Sequence, residues 1–147
     1  MPPGGDSTIL HAGCVAVDGR GLLIMGPSGA GKSGLALRLM ALGATLVSDD
    51  RTEVFTGPQG VMVRCPSGAI RGLIEARGMG ILRAPTTDNV PVALVVDLSR
   101  TEDERLPPPR VVTILGSRLP LVLRVQSDHF VAALMVRLRG GGRQDIE

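Results

Sequence analysis

Leu22-Leu23-Ile24-Met25-Gly26-Pro27-Ser28-Gly29-Ala30-Gly31-Lys32-Ser33-Gly34-Leu35-Ala36 is the stretch that decides the fold. Its first four residues are an apolar run suited to a buried strand. Leu35, Ala36, Leu39, Met40 and Leu42 then recur at helical spacing until Gly43, a residue suited to a helix C-terminus. Between strand and helix, Gly26, Pro27, Ser28, Gly29, Ala30, Gly31, Lys32 and Ser33 complete the pattern GxxxxGK[ST]. In that order of elements, loop N–H groups and the positive end of the helix dipole face bound phosphates. Lys32 is placed to meet β/γ-phosphate oxygens and the Ser33 hydroxyl to ligate Mg²⁺.

Lys32 is the only lysine; the other 15 of the 16 basic side chains counted as Lys or Arg are arginines. Wherever any cation suffices this chain uses arginine, and the loop position is the exception. A compact ammonium on a thin stem reaches between terminal phosphates where a broad planar guanidinium fits poorly. A chance match in a glycine-rich chain lacks the flanking strand and helix, so the reading is of a nucleotide-phosphate site.

Outward from this core, Thr8 to Val17 reads as a strand and Asp18-Gly19-Arg20-Gly21 as a hairpin turn into the loop-bearing strand. Ala44 to Ser48 is a further strand ending at Asp49-Asp50. Thr52 to Thr56 and Val61 to Cys65 flank Gly57-Pro58-Gln59-Gly60 as a hairpin, and Ala69 to Ala76 reads as a short helix. Pro91 to Asp97 is β-branched and apolar, hence a central strand. Val111 to Leu115 and Pro120 to Val125 are strands, and Asp128 to Arg139 a helix packing Phe130, Ala133, Leu134 and Leu138. The sum is one α/β domain with a mixed sheet over residues 1–147, with flexible ends at 1–6 and 140–147 and an irregular loop at Pro107-Pro108-Pro109.

Composition narrows the function. At 147 residues the chain buries a core without disulfides, and Cys14 and Cys65 read as two buried, reduced thiols. A formal net charge of +2, scattered arginines and only two aromatics, Phe55 and Phe130, provide no platform for nucleic acid. No signal-peptide pattern and no apolar run near the ~20 residues of a membrane span occurs, which gives the expectation of a cytoplasmic protein.

A phosphate loop works with a carboxylate at the end of a buried strand. Asp49-Asp50 and Asp97 both follow apolar runs. The first pair also fits an ordinary turn, and Asp97 also fits a strand-end cap. Glu75-Ala76-Arg77-Gly78-Met79-Gly80 sets an acid and a base against two glycines, a pattern shared by ligand-approach loops and simple turns. His11 lies within the first strand, where a lone histidine serves the core more often than chemistry.

Taken in order, Leu10-His11-Ala12-Gly13-Cys14, the loop Gly26 to Ser33, Leu46-Val47-Ser48-Asp49-Asp50 and Ile74-Glu75-Ala76-Arg77-Gly78-Met79-Gly80-Ile81 resemble the catalytic domain of the HPr kinase/phosphorylase family. The resemblance runs from about residue 8 to 139 and is to the truncated members that consist of that domain alone. It implies a P-loop-containing mixed β-sheet of the HPr kinase and PEP carboxykinase-like type. It also implies an ATP- and Mg²⁺-dependent kinase acting on a serine of the phosphocarrier HPr, often with phosphorolysis of the product, within the phosphotransferase system. By the same resemblance Asp50 is the proton acceptor, Lys32 the phosphate contact, Ser33 and Glu75 the magnesium positions and His11 an active-site histidine. Arg105 matches the family's catalytic arginine, Asp97 becomes structural, and the assembly is a homo-oligomer, a hexamer in the family. Gly34 stands where family members commonly carry an acid.

Two other readings share the loop. A small-molecule kinase requires an arginine-rich lid and a defined acceptor pocket. A non-catalytic nucleotide-binding module requires the loop alone, with no reason for His11, Asp50 and Glu75 to accompany it. A GTPase is disfavoured because the guanine-reading [NT]KxD element needs a second lysine.

Overall fold

The computed structural model describes residues 6–141. The chain runs through β1 (Ser7–Leu10), β2 (Ala12–Val17), β3 (Arg20–Met25), α1 (Lys32–Ala41), β4 (Thr45–Ser48), β5 (Thr52–Gly57) and β6 (Gly60–Arg64). It continues through β7 (Leu73–Ala76), β8 (Gly80–Arg83), β9 (Val90–Thr101), β10 (Arg110–Ile114), β11 (Ser117–Arg124) and α2 (Phe130–Val136). A widened turn over Arg137–Gly141 follows, in which Gly140 leaves the helical conformation at φ 92°. Of the ends expected to be flexible, residues 1–5 and 142–147 lie outside the described residues, while the Asp6 carbonyl accepts a hydrogen bond from Thr56 N at 3.0 Å.

Nine strands join in one mixed sheet, ordered β1-β5-β6-β9-β3-β2-β4, with β11 and then β10 branching from β9. Strands β3 and β11 both run parallel to β9, while β2 is antiparallel to β3 and β4. All six residues of β2 are buried because both of its faces are covered. Val15 and Val17 point to the core under α1 and α2, with Leu22, Ile24, Leu39, Leu134 and Leu138. Ala12, Cys14 and Ala16 point the other way, onto Val54, Val61, Val63 and Leu119, where the sheet curls over itself. This double coverage explains why the central strands read as unbroken apolar runs.

The curl has a local origin. The strand expected over residues 8–17 breaks at His11, and the facing chain breaks at Asp49-Asp50, between β4 and β5. Pairing resumes on either side, Leu10 with Thr52 and Cys14 with Ser48, so both partners bend at one level. The Ser48 hydroxyl donates to the Arg51 carbonyl, the Thr52 hydroxyl donates to the Ala12 carbonyl at 2.8 Å, and Asp50 takes φ 68°. Aspartate is among the few L-residues that adopt this conformation readily.

Helix α1 ends as its sequence predicts. Gly43 has φ 112°, its N–H donates to Met40 O, and Ala44 N donates to Leu39 O, each at 3.0 Å. The helix expected over Ala69 to Ala76 is instead a turn leading into β7, which pairs with β8 as a separate hairpin. Gly72 at φ 75° breaks any helix there, Gly78 and Gly80 at φ 88° and 123° make the reversal, and burial alternates along Leu73–Ala76 with Ile74 in the core. Eight residues are too few for periodicity to separate these alternatives. Helix α2 is shorter than the expected 128–139, and its buried side chains are Leu134 and Met135 rather than Ala133.

Candidate active site

The register brings the singled-out residues to one end of the sheet. Ala12, directly after His11, pairs with Met25, directly before Gly26, and Cys14 of the same strand pairs with Ser48, directly before Asp49. The histidine, the phosphate loop and the aspartate pair therefore emerge side by side.

Within the loop, Gly29 and Gly31 adopt φ 85° and 98°, and a Cβ built on either meets nothing within 4 Å. The loop thus offers bare backbone to the space above it. Gly31 caps α1 with no side-chain hydrogen bond, and the first turn of the helix carries no acid. Its first N–H groups are left for an anion, and no acid belonging to that turn competes for the positive end of the helix dipole. Lys32 is 6% exposed, its Nζ donating to Gly26 O at 2.7 Å and Pro27 O at 3.1 Å. The ammonium is drawn over the loop it belongs to.

Two carboxylates complete the geometry. His11 Nε2 lies 2.7 Å from Asp50 Oδ1, with about half of each side chain exposed. Asp49, which the sequence reading left without a role, accepts from the Ser33 hydroxyl on Oδ1 at 2.7 Å and from Glu75 N on Oδ2 at 3.1 Å. It ties the start of α1 to hairpin β7–β8. The signal for it was its neighbour: of two adjacent aspartates on a kinked strand end, one faces the helix and the other the histidine.

A cleft of about 670 Å³ lies over these groups. This is the size range of small-molecule sites. Ser28, Gly29, Gly31, Lys32 and Ser33 form its floor, Asp49, Asp50 and Glu75 its acidic side, and Arg77, the base of the Glu75 to Gly80 motif to which the sequence reading gave no catalytic role, adds a cation. Leu37, Ile70, Leu73 and Ile81 make an apolar wall. Bare loop amides and a buried ammonium fit a polyphosphate, and a hydroxyl flanked by carboxylates fits a hard, oxygen-seeking cation such as Mg²⁺.

Two sequence candidates stand apart. Asp97 is not at a strand end: it pairs with Met25 in mid-β9, and its Oδ1 accepts from Ser99 N at 2.9 Å and from the Ser99 hydroxyl at 2.6 Å. Arg105 is exposed, on the irregular segment between β9 and β10, and does not line the cleft. Since β9 passes Met25 at Asp97 and continues to Thr101, that segment leaves the sheet at the phosphate-loop end. No helix among the described residues is long and apolar enough to cross a membrane.

The model of the HPr Serine kinase C-terminal domain family matches residues 5–106. A protein named HPr kinase/phosphorylase from Cupriavidus necator is 35% identical over an alignment 152 residues long, gaps included, covering 89% of this chain and 47% of that protein. Another of that name, from Streptococcus thermophilus, is 40% identical over 77 residues, 52% of this chain and 25% of the relative. The chain spans about half the length of the Cupriavidus relative. Among solved structures, the Hpr(Ser) kinase/phosphatase from Coxiella burnetii superposes with a TM-score of 0.74 at 26% identity, covering 90% of this chain and 89% of the other. On the family match, and on a fold shared nearly end to end, the chain belongs to the HPr serine kinase C-terminal domain family.

Proposed function

We propose that this chain is an ATP- and Mg²⁺-dependent kinase that transfers the terminal phosphoryl group to a serine hydroxyl of the phosphocarrier protein HPr, and that it also runs the reverse phosphorolysis. The observation that carries this reading is the His11–Asp50 pair at 2.7 Å, whose Asp50 lines the same cleft as Lys32 and Ser33. A protein that only bound nucleotide would need the loop and not the pair.

In the forward direction the acceptor serine is deprotonated by Asp50 as its oxygen attacks the terminal phosphorus, and ADP leaves. His11 occupies one carboxylate oxygen of Asp50, which leaves the other to align the incoming hydroxyl. The loop amides and Lys32 take up charge on the transferring group, and Arg77 is the cation already in the cleft to share it. Arg105, on its exposed segment at the same end of the sheet, is the second arginine assigned to the transition state, reaching the cleft once the substrates are in place. Ser33, Asp49 and Glu75 would hold Mg²⁺, which neutralises phosphate charge when bound. In reverse, inorganic phosphate attacks the seryl phosphate and Asp50 returns the proton to the serine oxygen. The homo-oligomeric assembly belongs to the same reading.

The test is transfer from labelled ATP to HPr and to an HPr lacking its acceptor serine. Label on the first alone, abolished by Asp50→Asn with ATP binding retained, is the expected result. ATP binding without transfer to any serine would replace the kinase reading with that of a nucleotide-binding module.

A further inference from the structure

Among residues that touch the phosphate loop but do not line the cleft, one arginine joins three segments of the chain. Arg124 is the last residue of β11, partly buried and outside the residues 5–106 that match the family model. Its Nη2 donates to the Ala30 carbonyl of the loop at 2.5 Å, and Nε and Nη2 donate to the Leu98 carbonyl of β9 at 3.2 and 3.1 Å. Its own carbonyl accepts from Glu102 N at 2.8 Å, where the segment bearing Arg105 begins. The fork is needed because the β9–β11 ladder breaks at this point. Leu123 pairs with Asp97 but Arg124 with Thr101, so β11 skips residues 98–100 and the Leu98 carbonyl takes a side-chain donor.

The consequence for the loop follows from the planarity of the peptide. Every peptide bond described is trans, so the Ala30 C=O and the Gly31 N–H point in opposite directions. Fixing the carbonyl on the Arg124 side turns the Gly31 N–H toward the cleft that Gly31 lines. Gly31 at φ 98° holds the conformation glycine adopts most readily, and its own carbonyl is fixed on the helix side by Leu35 N at 2.9 Å, so the Ala30 carbonyl is the remaining handle on this peptide. Lys32 holds the carbonyls of Gly26 and Pro27 at the other end of the loop.

We propose that Arg124 is a positioning residue of the phosphate loop: it sets the Ala30–Gly31 peptide so that the loop meets β/γ-phosphates with its amides already aimed. It acts through the loop and touches no substrate. The inference rests on the nucleotide reading above for its functional half, while its structural half stands alone.

The test uses the full chain with Arg124→Gln and Arg124→Lys, reading deuterium uptake over residues 26–33 without nucleotide and the Kd of Mg·ATP. Gln is expected to raise uptake and to weaken Mg·ATP about tenfold, with Lys, which keeps the charge but not the fork, about threefold. Where Gln transfers phosphate to HPr, KM for ATP should rise more than kcat falls. Unchanged uptake, or raised uptake with unchanged Kd, overturns the proposal. Full recovery by Lys overturns the peptide-orienting role in favour of charge alone. If the Gln variant does not fold, the Lys variant decides on the same two readouts. Folded wild type that binds no Mg·ATP defeats the nucleotide reading, and the uptake comparison still decides whether Arg124 orders the loop.

Discussion

Replacing Asp49 with alanine should loosen the join between the phosphate-loop helix and hairpin β7–β8. Two hydrogen bonds to a carboxylate are lost, one from the Ser33 hydroxyl and one from Glu75 N. Bonds to charged groups are worth ~1.5–3 kcal/mol when shielded, but here water can replace the acceptor, which brings each to about 1 kcal/mol. Against this, Asp50 and Glu75 line the same cleft, and removing one of three negative charges relieves some repulsion. Asp49→Asn gives the same relief and is the right reference. In it the Ser33 hydroxyl can rotate to accept from the amide while the amide oxygen accepts from Glu75 N, so both bonds survive. The alanine variant should therefore unfold about 1–2 kcal/mol more easily than the asparagine variant, or ~3–8 °C lower in Tm for a chain of this length. In the asparagine variant Ser33 spends a lone pair on the amide, so phosphoryl transfer should fall although stability does not. Paired thermal melts and transfer assays read both. Equal Tm for the two variants would refute the claim that Asp49 joins helix and hairpin, and full activity of the asparagine variant would refute its role in orienting Ser33.

Lys32→Arg should weaken Mg·ATP binding and turnover by about tenfold or more, because a guanidinium cannot take the buried place of the ammonium between the Gly26 and Pro27 carbonyls; normal kinetics would show that any cation serves there. Gly34→Ala should raise stability by up to about 1 kcal/mol, since the position is helical and a Cβ meets nothing within 4 Å; a lower Tm would mean that the loop needs the glycine's freedom. Glu102 is held below the usual carboxylate range chiefly by its hydrogen bonds to the Arg110 guanidinium. A depressed folded value gives stability that is present above the unfolded pKa of ~4.3 and lost as pH falls through the folded one. Glu102→Gln should therefore lower Tm at neutral pH, with the gap to wild type closing in acid; a gap independent of pH would show that the pairing is not electrostatic.

Much of the site was legible because its chemistry is local. Residues 22–43 carry strand, loop and helix in an eight-residue motif with four fixed positions and in two apolar patterns, and the structure reproduces them to the Gly43 cap. The order of His11, the loop, Asp50 and Glu75 pointed to one family, and the register of β2 against β3 and β4 gives the physical reason that His11, the loop and Asp50 meet. What the sequence concealed depends on pairing between distant segments. Hairpin β7–β8 hides as a helix because Ala69 to Ala76 contains only two buried positions, Ile74 and Ala76, and the turn glycines look like a helix stop. The break of the first strand at His11 is invisible without its partner chain. Arg124 ends an ordinary apolar run, and its role exists only because the ladder slips opposite Leu98.

Strand β9 carries one more consequence. It binds β3 on one side and β6 and then β11 on the other, so the strand that feeds the phosphate loop has β2 alone for a neighbour until β9 exists. Met25 and its partner Asp97 are separated by 72 positions, the difference of their numbers. At ribosomal rates of ~5–20 residues per second, roughly 4–14 s pass between their syntheses. During that interval the nascent β2–β3 pair displays an edge of Leu22, Leu23 and Ile24 with no partner. Non-local pairings of this kind are slow to form and open to wrong associations. In this chain the interval that leaves the nucleotide loop unfinished is also the one in which the nascent polypeptide has most need of a chaperone.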